Sequence, residues 1–169
     1  MIDTIRIADN GLKKSDCTNG PGINYSVWVQ GCPFHCKGCH NPETWDFEAG
    51  TEYDILKLSN NICKELNKYG VVKNLSILGG EPLCKENFDA VCKLIEIVKT
   101  YSKGSKITVW TGYTLEKLKD IYGVTFLNIK LLSKIDYLID GQFELENRDI
   151  TLKWRGSPNQ RILEKGKDF

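Results

Sequence analysis

No apolar run in the 169-residue sequence approaches the ~20 residues needed to cross a bilayer, so no membrane span is expected. There is no surplus of one charge either. Lys and Arg number 23 against 22 Asp and Glu, and a net charge of +1 leaves no electrostatic footprint for nucleic acid or an anionic membrane. Repeats, low-complexity stretches and linker-like segments are absent, so one domain spanning 1–169 is expected, large enough to fold on its own core. The opening Met1-Ile2-Asp3-Thr4-Ile5-Arg6 lacks the charged-then-apolar plan of a signal peptide, which points to the cytoplasm. Histidine is scarce: His35 and His40 are the only two.

Cysteine is not scarce. Seven is an odd number, so full pairing is impossible, and a reducing compartment argues against disulfides altogether. Three of the seven fall in one loop, 31–41, as Cys32-x3-Cys36-x2-Cys39. Structural zinc and fully protein-held iron–sulfur clusters take four protein ligands. Three thiolates on one loop leave a metal corner for something else. Soft thiolate suits iron–sulfur first and zinc second, the latter needing a fourth ligand from His35, His40 or Cys17.

Residue patterning sets the loop in an α/β frame. Strands are expected at Thr4–Ala8, Ile23–Gln30, Leu75–Leu78, Ile107–Trp110 and Ile135–Ile139. Helices are expected at Tyr53–Tyr69, with Ile55, Leu58, Ile62, Leu66 and Tyr69 on one face, at Asn87–Tyr101, and around Leu115–Ile121. Alternation of this kind implies a mainly parallel sheet, whose ligands sit beyond the C-terminal strand ends. The cysteine loop, Gly79-Gly80-Glu81-Pro82, Thr111-Gly112 and Asp140-Gly141 all fall at those ends.

Cysteines at this spacing after a strand, followed by Gly-Gly-Glu-Pro after a later one, resemble the radical S-adenosylmethionine (SAM) superfamily. Cys39-His40-Asn41-Pro42-Glu43-Thr44-Trp45 is similar to the activases of glycyl-radical enzymes. Asn19-Gly20-Pro21-Gly22, Val109-Trp110-Thr111-Gly112-Tyr113, Asp140-Gly141-Gln142-Phe143 and Trp154-Arg155-Gly156-Ser157-Pro158-Asn159-Gln160 resemble the subgroup that activates anaerobic ribonucleoside-triphosphate reductase. The resemblance implies an open partial (β/α) barrel and a [4Fe-4S] cluster on Cys32, Cys36 and Cys39, with SAM chelating the fourth iron. It also implies reductive cleavage of SAM to a 5′-deoxyadenosyl radical, which takes a hydrogen from a glycine of the reductase large subunit. A low-potential donor such as a flavodoxin would supply the electron. Activation of another glycyl-radical enzyme, such as a formate lyase, or a zinc-stabilised binding module are the competing readings.

The resemblance assigns Gly79, Gly80 and Glu81 to the turn that meets the SAM amino group, and Gly38 and His40 to positions near the adenine. The superfamily often has an aromatic residue where Gly38 stands, so His40 becomes the candidate for adenine. Thr111 is a candidate hydrogen-bond donor to the cofactor or, alternatively, a cap of the next helix. Cys63 and Cys92 read as core residues; Cys17 and Cys84 lack a partner at ligand spacing. Asp140-Gly141 reads as a hairpin turn, and Trp154-Arg155 either as an exposed docking anchor or as a packed tryptophan beside a solvated arginine.

Overall fold

The computed structural model describes residues 3–169; Met1 and Ile2 of the N-terminal reading and the Tyr69 side chain of the helical one lie outside the described residues. The strands are β1 (Thr4–Asp16), β2 (Asn24–Val29), β3 (Thr51–Asp54), β4 (Asn74–Gly79), β5 (Ile107–Trp110), β6 (Tyr137–Asp140) and β7 (Arg161–Glu164). The helices are α1 (Ile55–Leu66), α2 (Phe88–Tyr101), α3 (Leu115–Tyr122) and the short α4 (Val124–Leu127), which runs into a π-helical turn over Asn128–Leu132. One mixed sheet results, ordered β3-β1-β2-β4-β5-β6-β7. Its centre, β2-β4-β5-β6, is parallel. Both margins are antiparallel, β1 to β2 and β3 on one side and β7 to β6 on the other.

The α/β class and parallel centre match the sequence pattern; the margins depart from it. β1 continues past Ala8 to Asp16 because irregularities between Ile7 and Leu12, and again between Lys13 and Asp16, let polar residues stay in the ladder. Tyr53 pairs with Ile5 in β3, and α1 starts only at Ile55, where the Asp54 side chain caps it by accepting the Lys57 N–H at 2.8 Å. The last central strand starts at Tyr137, since Ile135 turns into the core ahead of it.

Alternate residues of the central strands serve opposite faces. Val27, Val29, Leu75, Ile77, Ile107 and Val109 join Leu58, Ile62, Leu66, Val91, Ile95 and Val98 of α1 and α2 in the core. Each such side chain contributes about 1.5–3 kcal/mol by leaving water. The intervening Ser26, Trp28, Ser76, Leu78, Thr108 and Trp110 point away from those helices. Beneath this second face folds the Asp16–Gly22 turn. Ser26 Oγ donates to Asp16 Oδ2 (2.7 Å) and Ser76 Oγ to the Asn19 carbonyl (2.5 Å). Burial raises the Asp16 carboxyl pKa, but hydrogen bonds from Asn19, Ser26 and Thr18 outweigh it and hold the group well below the usual range.

Candidate metal centre

The cysteine loop is closed at its neck by its own polar groups. Gln30 Nε2 donates to the carbonyls of Glu43 (2.9 Å) and Asp46 (2.7 Å), the Gly31 N–H to Thr44 (2.8 Å) and the Cys32 N–H to Trp45 (3.1 Å). Cys32 is buried; Cys36 and Cys39 are half-buried, and all seven cysteines are free thiols. Two of the sulfurs accept hydrogen bonds, Cys36 from Gln142 Nε2 at 3.3 Å and Cys39 from the Asn41 N–H at 3.4 Å. Burial pushes the Cys32 thiol up to about 11, against the backbone N–H groups of Phe34 and His35, so metal binding there releases a proton.

The Gly-Gly-Glu turn is pressed onto the base of this loop. Gly80 N–H donates to Val29 and Glu81 N–H to Gly31, both at 2.8 Å. A Cβ on Gly80 would stand 2.3 Å from the Gly31 carbonyl, and Gly79 adopts φ +105 with Trp28 and Val29 backbone beside it. The glycines are therefore explained by strand-to-loop contact as well as by any ligand. Asn87, just ahead of α2, ties the two segments together: its Nδ2 donates to the carbonyls of Gln30 (3.0 Å) and Glu81 (3.0 Å). Glu81 is 1% exposed. Its carboxylate accepts from the Leu83 N–H (2.8 Å), Thr111 Oγ1 (2.7 Å) and the Gly112 N–H (2.6 Å). Burial lifts its pKa to about 7 even with these three donors.

Cysteine loop and turn share a cavity of about 620 Å³ whose lining includes Cys32, Cys36, Cys39, His40, Gly79, Gly80, Glu81 and Thr111. Eight of the nine site residues expected from sequence thus meet in one place. The ninth, Gly38, instead lies under Leu145: it takes φ +71, and a Cβ there would fall 2.7 Å from that side chain. This packing explains why no aromatic ring occupies the position. His40 reaches the cavity with its ring 5.7 Å from Phe143, whereas His35 stacks on Trp45. Thr111 spends its hydroxyl on Glu81, and it is Thr114 that caps α3 by accepting the Lys117 N–H.

Asp140-Gly141 is not a hairpin turn. Although β6 and β7 are antiparallel neighbours, residues 141–160 connect them. Asp140 is fully buried and accepts from the Leu115 N–H and from Arg161. The connection drapes over the cysteine loop, with Gln142 on Cys36, Phe143 by His40, Leu145 over Gly38, and Glu146 3.5 Å from Lys37. Trp154 is no exposed anchor, being half-buried with its ring edge-on to Tyr137, and Arg155 lines the cavity instead of lying in solvent. Cys63, Cys84 and Cys92 are buried and Cys17 is exposed.

Sequence reasoning missed Gln30, Asn87, Gln142 and the inward placement of Arg155. Gln30, Asn87 and Gln142 act through side-chain bonds to other segments, for which no local spacing exists, whereas Arg155 is turned inward by its bond to Gln160 and the fold of its own loop. Among the described residues, no three His, Cys, Asp or Glu side chains are grouped to share a single metal ion. The donor set fits an iron–sulfur cluster: three soft thiolates from one loop, N–H donors to two of the sulfurs, and a cavity that all three cysteines line.

A family model described as a 4Fe-4S single cluster domain matches residues 18–163, placing the chain in the iron–sulfur class across most of its length. Its similarity to curated proteins is narrower in kind. The anaerobic ribonucleoside-triphosphate reductase-activating protein of Vibrio cholerae is 39% identical over 148 residues, 87% of this chain and 91% of its own. Those of Escherichia coli K12 and Enterobacteria phage T4 are each 33% identical, covering 87% of this chain and 92% and 87% of their own. The chain belongs to the family of anaerobic ribonucleoside-triphosphate reductase-activating proteins.

Proposed function

We propose that the protein is a radical SAM activase that installs a glycyl radical on anaerobic ribonucleoside-triphosphate reductase, acting in the cytoplasm with an electron from a low-potential donor such as a flavodoxin. The observation that carries this is the meeting, in one cavity, of three cysteines from a single loop with a Gly-Gly-Glu turn. In this reading the parallel centre of the sheet, with its antiparallel margins, is an open partial barrel of the radical SAM type.

Cys32, Cys36 and Cys39 would hold a [4Fe-4S] cluster, with SAM at the remaining iron. When bound, the pair supplies reductive cleavage of the sulfonium carbon–sulfur bond, giving methionine and a 5′-deoxyadenosyl radical. The chain's residues do the rest. Gln142 and Asn41 donate to the cysteine sulfurs, which favours the more negative, reduced state. Glu81 is locked by Leu83, Thr111 and Gly112 and offers an oriented carboxylate to an ammonium group. His40 stands ready beside Phe143 for the adenine, with Gly38 behind it shaping the loop. Trp28, Leu78 and Trp110 give the cavity an apolar wall that keeps water from a reactive carbon centre.

Anaerobic reconstitution tests the reading. The expected protein is brown with about four irons, releases 5′-deoxyadenosine with dithionite and SAM, and generates a glycyl radical signal in electron paramagnetic resonance when the reductase is added. A colourless protein holding one tight zinc and taking up no iron would overturn it.

A further inference from the structure

Among the described residues that line the cavity, Glu81 is the only carboxylic acid and Arg155 the only guanidinium, with no Asp or Lys beside them. Glu81 is held by three donors; Arg155 is not comparably matched. Its Nη1 donates to the Gln160 carbonyl at 2.6 Å, but its Nε is buried with no partner. No described carboxylate lies in ion-pair reach of it. A buried guanidinium N–H without an acceptor is costly, and the fold nonetheless holds it in place.

The holding is elaborate. Gln160 Oε1 accepts the N–H groups of Gly156 (2.8 Å) and Ser157 (3.2 Å), while its Nε2 donates to the Gly141 carbonyl (3.0 Å). Trp110 Nε1 donates to the Trp154 carbonyl (2.8 Å), and Trp154 takes the left-handed φ of 58. Such a conformation in a non-glycine residue is maintained only where surrounding contacts enforce it. With Nη1 committed to Gln160, Nε and Nη2 remain, the guanidinium edge that can donate two parallel hydrogen bonds to the oxygens of one carboxylate.

We infer that Arg155 receives the carboxylate of the amino-acid end of the sulfonium cofactor, so that Arg155 and Glu81 together match an α-amino-acid zwitterion. The inference rests on the cavity being the SAM site. It assigns a ligand-binding role to the Trp-Arg-Gly-Ser stretch. The Gln160-pinned loop is then the device that delivers the guanidinium.

The test is equilibrium binding to the reconstituted protein, by calorimetry, of two probes. S-Adenosylhomocysteine keeps the amino-acid end; 5′-methylthioadenosine keeps the nucleoside and sulfur but lacks it. Arg155→Met should weaken S-adenosylhomocysteine by about 10- to 100-fold, the range of a charge-assisted hydrogen bond. It should leave 5′-methylthioadenosine within about twofold, which also shows that the cavity is folded. Arg155→Lys should recover part of the loss. Unchanged S-adenosylhomocysteine affinity, or an equal loss on both probes, overturns the inference while leaving the proposed function standing. If Arg155→Met keeps both affinities yet no longer binds the reductase, the carboxylate belongs to the protein target and the inference also falls. Wild-type protein that binds neither probe would instead remove the proposed function, and this assignment with it.

Discussion

Two faces of one sheet are made from alternate residues of the same strands, and they obey different rules. On the α1–α2 face, Val27, Ile77 and Val109 are fully buried in an apolar core. On the other, Trp28, Leu78 and Trp110 border a cavity, above a polar level formed by Ser26, Ser76 and Thr108 at matched register. The first face supplies folding energy. The second leaves buried polar atoms without partners, among them Trp28 Nε1, Thr108 Oγ1 and Arg155 Nε. The strands show that stability and ligand binding can be divided at single-residue intervals.

The sharpest break in this comparison comes from cysteine. Cys36→Ala, on the cavity side, should abolish cluster loading and SAM cleavage together, whereas Cys63→Ala, on the core side, should retain both; iron content and visible absorbance distinguish them. Next come neighbours on β4. Ile77→Ala should lower unfolding free energy by about 2–5 kcal/mol in a denaturant titration. Leu78→Ala, whose side chain borders existing space, should cost less and register mainly as weaker S-adenosylhomocysteine binding. Gly80→Ala should cost about 1–3 kcal/mol and reduce iron retention, since the new Cβ meets the Gly31 carbonyl.

A pH experiment probes the polar turn beneath the second face. The folded Asp16 carboxyl titrates below its unfolded value of about 3.9, so its contribution is present above roughly pH 4 and is lost as pH falls. Asp16→Asn should flatten the acid limb of a stability–pH curve. The smallest effect is expected of Gln142→Leu. Iron content should not change, but the cluster should become harder to reduce once the N–H donor to Cys36 is gone, as a potentiometric titration followed by electron paramagnetic resonance would show.

The central architecture was legible because its strands are apolar and its helices periodic: β5 begins and ends at the residues expected, α2 starts one residue later, and β4 runs one residue further at each end. β3 and β7 were not, because each is four residues long and neither has a buried face to impose alternation. The segment from Val124 through the π-helical turn lacks caps that would announce it. At the site, cysteine spacing and the Gly-Gly-Glu turn identified the chemistry. What tightens the site stayed hidden, since Asn87 bridges 57 positions to Gln30 and Gln142 bridges 106 to Cys36. Bonds of that reach are decided by topology, which local spacing does not encode.

All four tryptophans of the chain, Trp28, Trp45, Trp110 and Trp154, border the same cavity. Its ultraviolet fluorescence is accordingly a built-in gauge of occupancy: an iron chromophore entering among them would quench most of the emission at once, making assembly observable in real time without any attached dye.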